Sequence, residues 1–212
     1  MKVEGIILAA GLSSRAGTNK LILEIENITI IERCILSMYD YCSRIIVVGG
    51  HCVDDIYRYT KKYPKVDLVY NHNYLEGMFS SVKTGLSFLE GDLFFLTPGD
   101  YPMIHKTTYE RMLQINEDIV IPTYHSKNGH PVLMKTALVD EIFNGFNINS
   151  LRDFIKKKEP TRLEVVDSGI LFDIDTFEDY EKLLKSPISF YLWFVLNVTS
   201  IRVLCYYLGY LG

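Results

Sequence analysis

Short runs of β-branched and aliphatic residues recur along the chain at positions 6–9, 45–48, 66–70, 93–97, 119–121 and 132–134. Most show no polar alternation, the pattern of strands buried on both faces. Between them the apolar positions spread to the helical period. This happens over 29–41, with Ile31, Cys34, Ile35 and Met38 on one face, and again over 53–63, 80–90, 106–115 and 149–157. Strands alternating with helices predict an α/β domain whose mainly parallel sheet is covered on both sides. Ligands of such sheets bind outside the carboxyl ends of strands, which directs attention to the residues after 6–9 and after 93–97. No internal repeat or low-complexity linker interrupts this body.

The pattern breaks at the far end. Residues 187–212, PISFYLWFVLNVTSIRVLCYYLGYLG, contain no Asp, Glu or Lys, and Arg202 is their only charge. Residues 1–186 then hold 21 basic and 26 acidic side chains, a net of −5. A boundary near Ser186 therefore separates a domain, 1–186, from an apolar tail, 187–212. The 24 residues 188–211 are long enough to cross a bilayer, although Asn197 and Arg202 near their middle would each be expensive there. Three readings of the tail stay open: a membrane-associated helix, a helix packed on another chain or on the body, and a read-through end without a selected function.

Composition narrows the rest. With 48% hydrophobic and 23% charged residues, the chain of 212 is an ordinary globular one and not a disordered one. A net charge of −4 argues against nucleic acid as a partner, since counterion-release binding needs clustered Lys and Arg. It leaves room for a local basic pocket. Cys34, Cys42, Cys52 and Cys205 form no CxxC pair and no ligand-like spacing with the five histidines. Reduced thiols in a cytoplasmic protein follow, and the first residues lack the apolar segment of a signal peptide.

The loop after the first strand holds Gly11, Ser13, Ser14, Arg15, Gly17 and Lys20. Its spacing is not that of a P-loop, and the G-x-G-x-x-G dinucleotide fingerprint is missing, which weighs against a rival reading as an NAD-dependent oxidoreductase. Gly11 and Gly17 could turn backbone N–H groups inward as an anion nest, with Arg15 and Lys20 adding charge. A plain strand-to-helix turn with two solvated cations explains the loop equally well.

Further segments break the tie. ILAAGLSSRAGTNK, residues 7–20, resembles the LAAGxSxRxGxxK signature of nucleotidyltransferases related to the molybdenum cofactor cytidylyl- and guanylyltransferases. The same resemblance extends to EGMFSSVKTGL (76–86), PGDYP (98–102), NGHPVLM (128–134) and DIDTFEDY (173–180), five segments in order across residues 6–180. One departure is Ala16, where a methionine is common, and the tail lies outside the resemblance.

The resemblance implies a three-layer αβα Rossmann-like nucleotidyltransferase fold and an Mg²⁺-dependent enzyme. Its substrates would be a nucleoside triphosphate and a phosphorylated small-molecule acceptor, with CMP passing from CTP to molybdopterin and pyrophosphate leaving. It implies catalytic roles for Arg15, Lys20 and Asp100, and nucleotide contacts from Leu8, Ala9, Ala10, Gly11, Ser13, Gly17, Ser80 and Ser81. Asp100, at a predicted strand end, would ligate Mg²⁺, which takes one or two carboxylates plus substrate phosphates. Asp175, or Asp173 as the alternative, would be the second carboxylate. A strand over 171–174 would put Asp173 and Asp175 on one face, while the helix starting at TFEDYEKLL makes an N-cap reading equally open there. Capping also explains one of Ser80 and Ser81.

His130, between Gly129 and Pro131, reads either as a hydrogen-bonded structural group or as part of a shaped loop where the acceptor enters, whereas His51, His72, His105 and His125 read as surface or turn residues. Ala10 stands where guanylyl-transferring relatives tend to carry glycine, which favours cytidine. Sugar-phosphate or other nucleotidyl transfer, and a non-catalytic, membrane-tethered nucleotide-binding module, remain the alternatives.

Overall fold

Strand β1, Val3–Ala9, is buried along its whole length, as a run without polar alternation requires. Its side chains alternate between two cores: Ile7 and Ala9 enter one, Ile6 and Leu8 the other. A computed structural model of the chain describes residues 1–11, 19–146 and 148–185. In chain order, β1 is followed by β2 (Glu24–Ile25), β3 (Ile28–Thr29), α1 (Ile30–Met38), β4 (Arg44–Gly49), α2 (Val53–Thr60), β5 (Val66–Tyr70) and α3 (Met78–Leu86). Then come β6 (Leu93–Pro98), α4 (Lys106–Leu113), β7 (Ile119–Tyr124), β8 (Lys127–Asn128), β9 (Val132–Lys135), α5 (Val139–Asn144), α6 (Leu151–Lys157), β10 (Thr161–Glu164) and α7 (Phe177–Leu184).

The main sheet runs β10-β7-β9-β6-β1-β4-β5, with β8 paired to β7. All pairs along this order are parallel except those of β9, which is antiparallel to both neighbours. Residues of α1, α2, α4 and α7 fill the core on one side, and those of α3, α5 and α6 the core on the other. This is the three-layer, mainly parallel architecture expected from the alternation of patterns.

Apart from 171–174, the expected strands and helices form, with shorter helices than the periodicity suggests. Four short strands were too brief for a period to announce them: β2 and β3 of a hairpin, β8 and β10. The hairpin turns through Glu26 and Asn27, both at positive φ, the geometry of a tight two-residue hairpin.

One expectation fails. Residues 171–174 are not a strand; a 3-10 turn, Ser168–Leu171, leads into an open loop. Asp167 caps that turn by accepting the Gly169 N–H at 2.9 Å. Gly169 lies so close to Met103 that an added Cβ would come within 2.0 Å of its carbonyl oxygen. Pinned in this way, the segment has no neighbouring strand to pair with.

Among the described residues no helix is long and apolar enough to cross a membrane, and the apolar tail lies outside them. Cys34, Cys42 and Cys52 are free thiols. Burial pushes the Cys42 thiol up to about 12 and raises that of Cys34 further, so neither serves as a nucleophile.

Candidate active site

Strand register brings the unusual residues to one rim. Leu8 pairs with Val48 on one side and with Pro98 on the other, and Gly49 pairs with Tyr70. The carboxyl ends of β1, β4, β5 and β6 therefore stop together, presenting Ala10–Gly11, Gly50, Asn71 and Gly99–Asp100. Gly99 crosses next to β1, donating its N–H to the Leu8 carbonyl at 2.9 Å, and the Cys34 thiol donates to the Gly99 carbonyl from below at 3.2 Å. Leu8, Ala9 and Ala10 are buried, so they can meet a ligand only through backbone or a methyl face, whereas Gly11 is exposed. Ser13, Arg15 and Gly17 lie outside the described residues.

Lys20 opens a short 3-10 turn, Lys20–Ile22, capped by the Asn19 side chain. Its Nζ stands 2.8 Å from Asp100 Oδ2 and 3.3 Å from Asp175 Oδ1. Lys20 and Asp100 are largely enclosed, while Asp175 is more open, with 59% of its side chain exposed. Burial alone would lower the Lys20 pKa, but hydrogen bonds and charge from Asp100 and then Asp175 prevail and raise it, so it stays an ammonium. The other Asp100 oxygen, Oδ1, is buried without a hydrogen-bond partner among the described residues.

Asp175 reaches Lys20 because of how α7 is held. Thr176 is the N-cap of that helix, in a reciprocal capping box with Asp179, which leaves Asp175 free of the capping role. The Tyr180 hydroxyl donates to the Glu24 carbonyl at 2.6 Å, tying α7 to the hairpin that follows Lys20. Arg33, fully buried on α1, supports the same hairpin by donating from Nη2 to the Ile25 carbonyl at 2.8 Å. The Ile174 N–H donates to the Asp100 carbonyl at 3.0 Å, joining the two acidic segments through backbone. Asp173 makes no ion pair with Lys20; burial first, then the charges of Asp175 and Asp100, raise its pKa.

His130 forms the adjoining wall. Its N–H donates to the Ile170 carbonyl at 2.9 Å, and Gly129 sits so close that a Cβ would come within 2.5 Å of the same oxygen. The imidazole lies edge-on to Tyr101, ring centres 4.7 Å apart. Its Nδ1 is buried without a hydrogen-bond partner among the described residues, and burial lowers its pKa to about 4 despite the nearby Asp100 charge. Tyr101, between Asp100 and His130, is pushed up to about 12 by burial and then by Asp173, Asp100 and Asp175. The sequence reading passed over Tyr101 because only the flanking Asp and Pro carry the motif.

Ser80 and Ser81 do not cap α3. Gly77 is the N-cap, at φ +97°, a conformation that favours glycine. Asn71, buried at the end of β5, donates from Nδ2 to Ser80 Oγ at 2.8 Å and to Ser81 Oγ at 3.0 Å. Ser80 Oγ also lies 2.7 Å from the Asn73 carbonyl and 2.8 Å from that of Gly77, so its single proton is spent on the loop. Asn71 was missed; its only sequence signal is the Asn-x-Asn turn chemistry after an apolar strand.

Of the other histidines, His51, His72 and His125 are exposed, and His105 is a half-buried structural residue beside Asp167. No cluster of three or more His, Cys, Asp or Glu suited to a metal occurs among the described residues, so a cation here would rest on two carboxylates and on ligand oxygens.

Residues 5–162 match the MobA-like NTP transferase domain. The chain is 28% identical to the molybdenum cofactor cytidylyltransferase of Escherichia coli K12, over 84% of its own length and 93% of the relative's. It is also 28% identical to a protein described as a probable molybdenum cofactor guanylyltransferase, from Natranaerobius thermophilus, over 86% and 95% of the two chains. Its fold superposes with a TM-score of 0.70 on Rv0371C from Mycobacterium tuberculosis H37Rv in complex with manganese, at 20% identity, covering 88% of this chain and 100% of that one. With residues 5–162 matched, the chain belongs to the MobA-like NTP transferase family.

Proposed function

We propose that the protein transfers a nucleoside monophosphate, foremost CMP from CTP, to a phosphate of a small acceptor, molybdopterin, releasing pyrophosphate. The observation that carries this reading is the Lys20 ammonium held between Asp100 and Asp175, at the rim where β1 and β6 end. In the reaction an acceptor phosphate oxygen bonds to the α-phosphorus, the bond from that phosphorus to the bridging oxygen breaks, and pyrophosphate departs with the electron pair. Such a transfer asks the protein for positioning and charge neutralisation more than for covalent help.

Gly11, Ser13, Arg15 and Gly17 hold the triphosphate, and Lys20 sets its charge against the group in transfer. Ser81 serves the nucleotide side, since Ser80 is committed to its own loop. His130, uncharged near neutral pH because it is buried, meets the acceptor as a neutral hydrogen-bonding group. Asp100 and Asp175 suit Mg²⁺: both offer hard oxygens, and the buried Oδ1 of Asp100, without a partner among the described residues, is an atom that needs one. When bound there, the metal supplies Lewis-acid stabilisation of the phosphoryl oxygens.

Cytidine is supported by Ala10, by the Gly77–Ser81 segment and by the Escherichia coli relative. The guanylyl relative matches at equal identity, which keeps GTP as the second reading. Pyrophosphate release measured with each of the four common NTPs, with and without molybdopterin, is the test. Release that needs both CTP and molybdopterin supports the proposal, and release with GTP alone moves it to guanylyl transfer. Binding of CTP without any release would make the protein a nucleotide-binding module.

A further inference from the structure

We infer that the Lys20 ammonium and a divalent cation compete for the same two carboxylates, so that the metal site opens fully only when nucleotide phosphates draw Lys20 away. This rests on the proposed metal role of Asp100 and Asp175. Nζ is within ion-pair distance of both, and on Asp100 it is directly hydrogen-bonded to Oδ2. A cation coordinated by both carboxylates would face that ammonium at close range, in a pocket where Lys20 and Asp100 are largely shielded from water. The two positive charges cannot share the position. A lysine carries a compact charge on a flexible stem, so the ammonium can leave the carboxylates for a triphosphate lying over Gly11. Asp100 Oδ1, with no hydrogen-bond partner among the described residues, stays behind as a ligand atom.

Lys20 then acts in opposite directions on two ligands, strengthening the hold on nucleotide and weakening the hold of the nucleotide-free protein on metal. Linkage makes the effect reciprocal: whatever nucleotide does for metal affinity, metal does for nucleotide affinity.

The test is Mn²⁺ binding to the full chain without nucleotide, read from the electron paramagnetic resonance signal of free Mn²⁺. Lys20→Met should bind Mn²⁺ on the order of tenfold more tightly than wild type, although it is catalytically impaired. Lys20→Arg, which keeps the charge, should stay as weak as wild type, and adding Asp100→Asn to Lys20→Met should abolish the gain. Circular dichroism of each variant reports folding separately from binding. Equal or weaker Mn²⁺ binding by folded Lys20→Met overturns the competition while leaving the metal site standing. No Mn²⁺ binding by any variant, even with CTP present, overturns the metal reading itself.

Discussion

His130 should make the fold sensitive to mild acid. Its imidazole has an ordinary pKa of 6.5 and falls to about 4 in the folded protein, because burial disfavours the cation more than the Asp100 charge favours it. Above pH 6.5 the ring is neutral folded or unfolded and contributes nothing to pH dependence. As pH drops below 6.5 the unfolded chain takes up a proton that the folded one refuses, so stability falls. The loss is complete below about 4, where both states are protonated. At about 1.4 kcal/mol for each pH unit between the two values, the full loss is about 3.5 kcal/mol, of which about 3 kcal/mol is lost by pH 4. Urea unfolding at a series of pH values from neutral to 4 measures it, with His130→Gln as the comparator that cannot titrate. Wild type should lose about 3 kcal/mol more than the variant across this window. Parallel stability curves for the two proteins, or an imidazole resonance titrating near 6.5 in the folded state, would refute the assignment.

Asp100→Asn should abolish Mg²⁺-dependent pyrophosphate release while far-ultraviolet circular dichroism stays unchanged, because the side chain sits at a rim and not in either core. Wild-type release from that variant would remove the metal assignment. Ala10 is buried, and a Cβ placed on Gly50 would come within 3.0 Å of the Ala10 methyl, so one carbon here changes a tight floor. A difference of that size is worth ~1–3 kcal/mol, roughly 10- to 200-fold, so CTP should bind better than GTP and Ala10→Gly should shift the ratio toward GTP. Calorimetric titration of both nucleotides checks this, and an unchanged ratio would remove the cytidine preference. Truncation after Lys185 should leave a soluble protein with unchanged CTP affinity, because every matched segment lies upstream; loss of folding or binding would make the tail part of the domain.

The strands at 45–48, 66–70 and 93–97 and the helix over 29–41 were legible because burial on both faces, or on one face, imposes a residue-level period. Strand β10, Thr161–Glu164, alternates half-buried and exposed residues over only four positions at the sheet edge, too short a run to announce a strand, and its pairing with β7 makes it one. The reversal of β9 between parallel neighbours was equally hidden, since an apolar run of four looks the same in either direction.

At the site, the sequence supplied the chemical types: a lysine after a glycine loop, an aspartate at a strand end, two aspartates before a helix, a histidine beside a proline. What it could not separate were residues with the same chemistry and nearly the same position. Thr176 took the cap and left Asp175 to reach Lys20, while Asp173 stayed aside. Ser80 closed on its own loop and Ser81 did not, through an asparagine with no motif of its own. Local spacing determines period and capping preference, because those act within a turn or two of chain. Lys20 meets Asp100 across 80 residues and Asp175 across 155, and such distances are closed only by strand order, register and the backbone bonds that stitch Asp100 to Ile174.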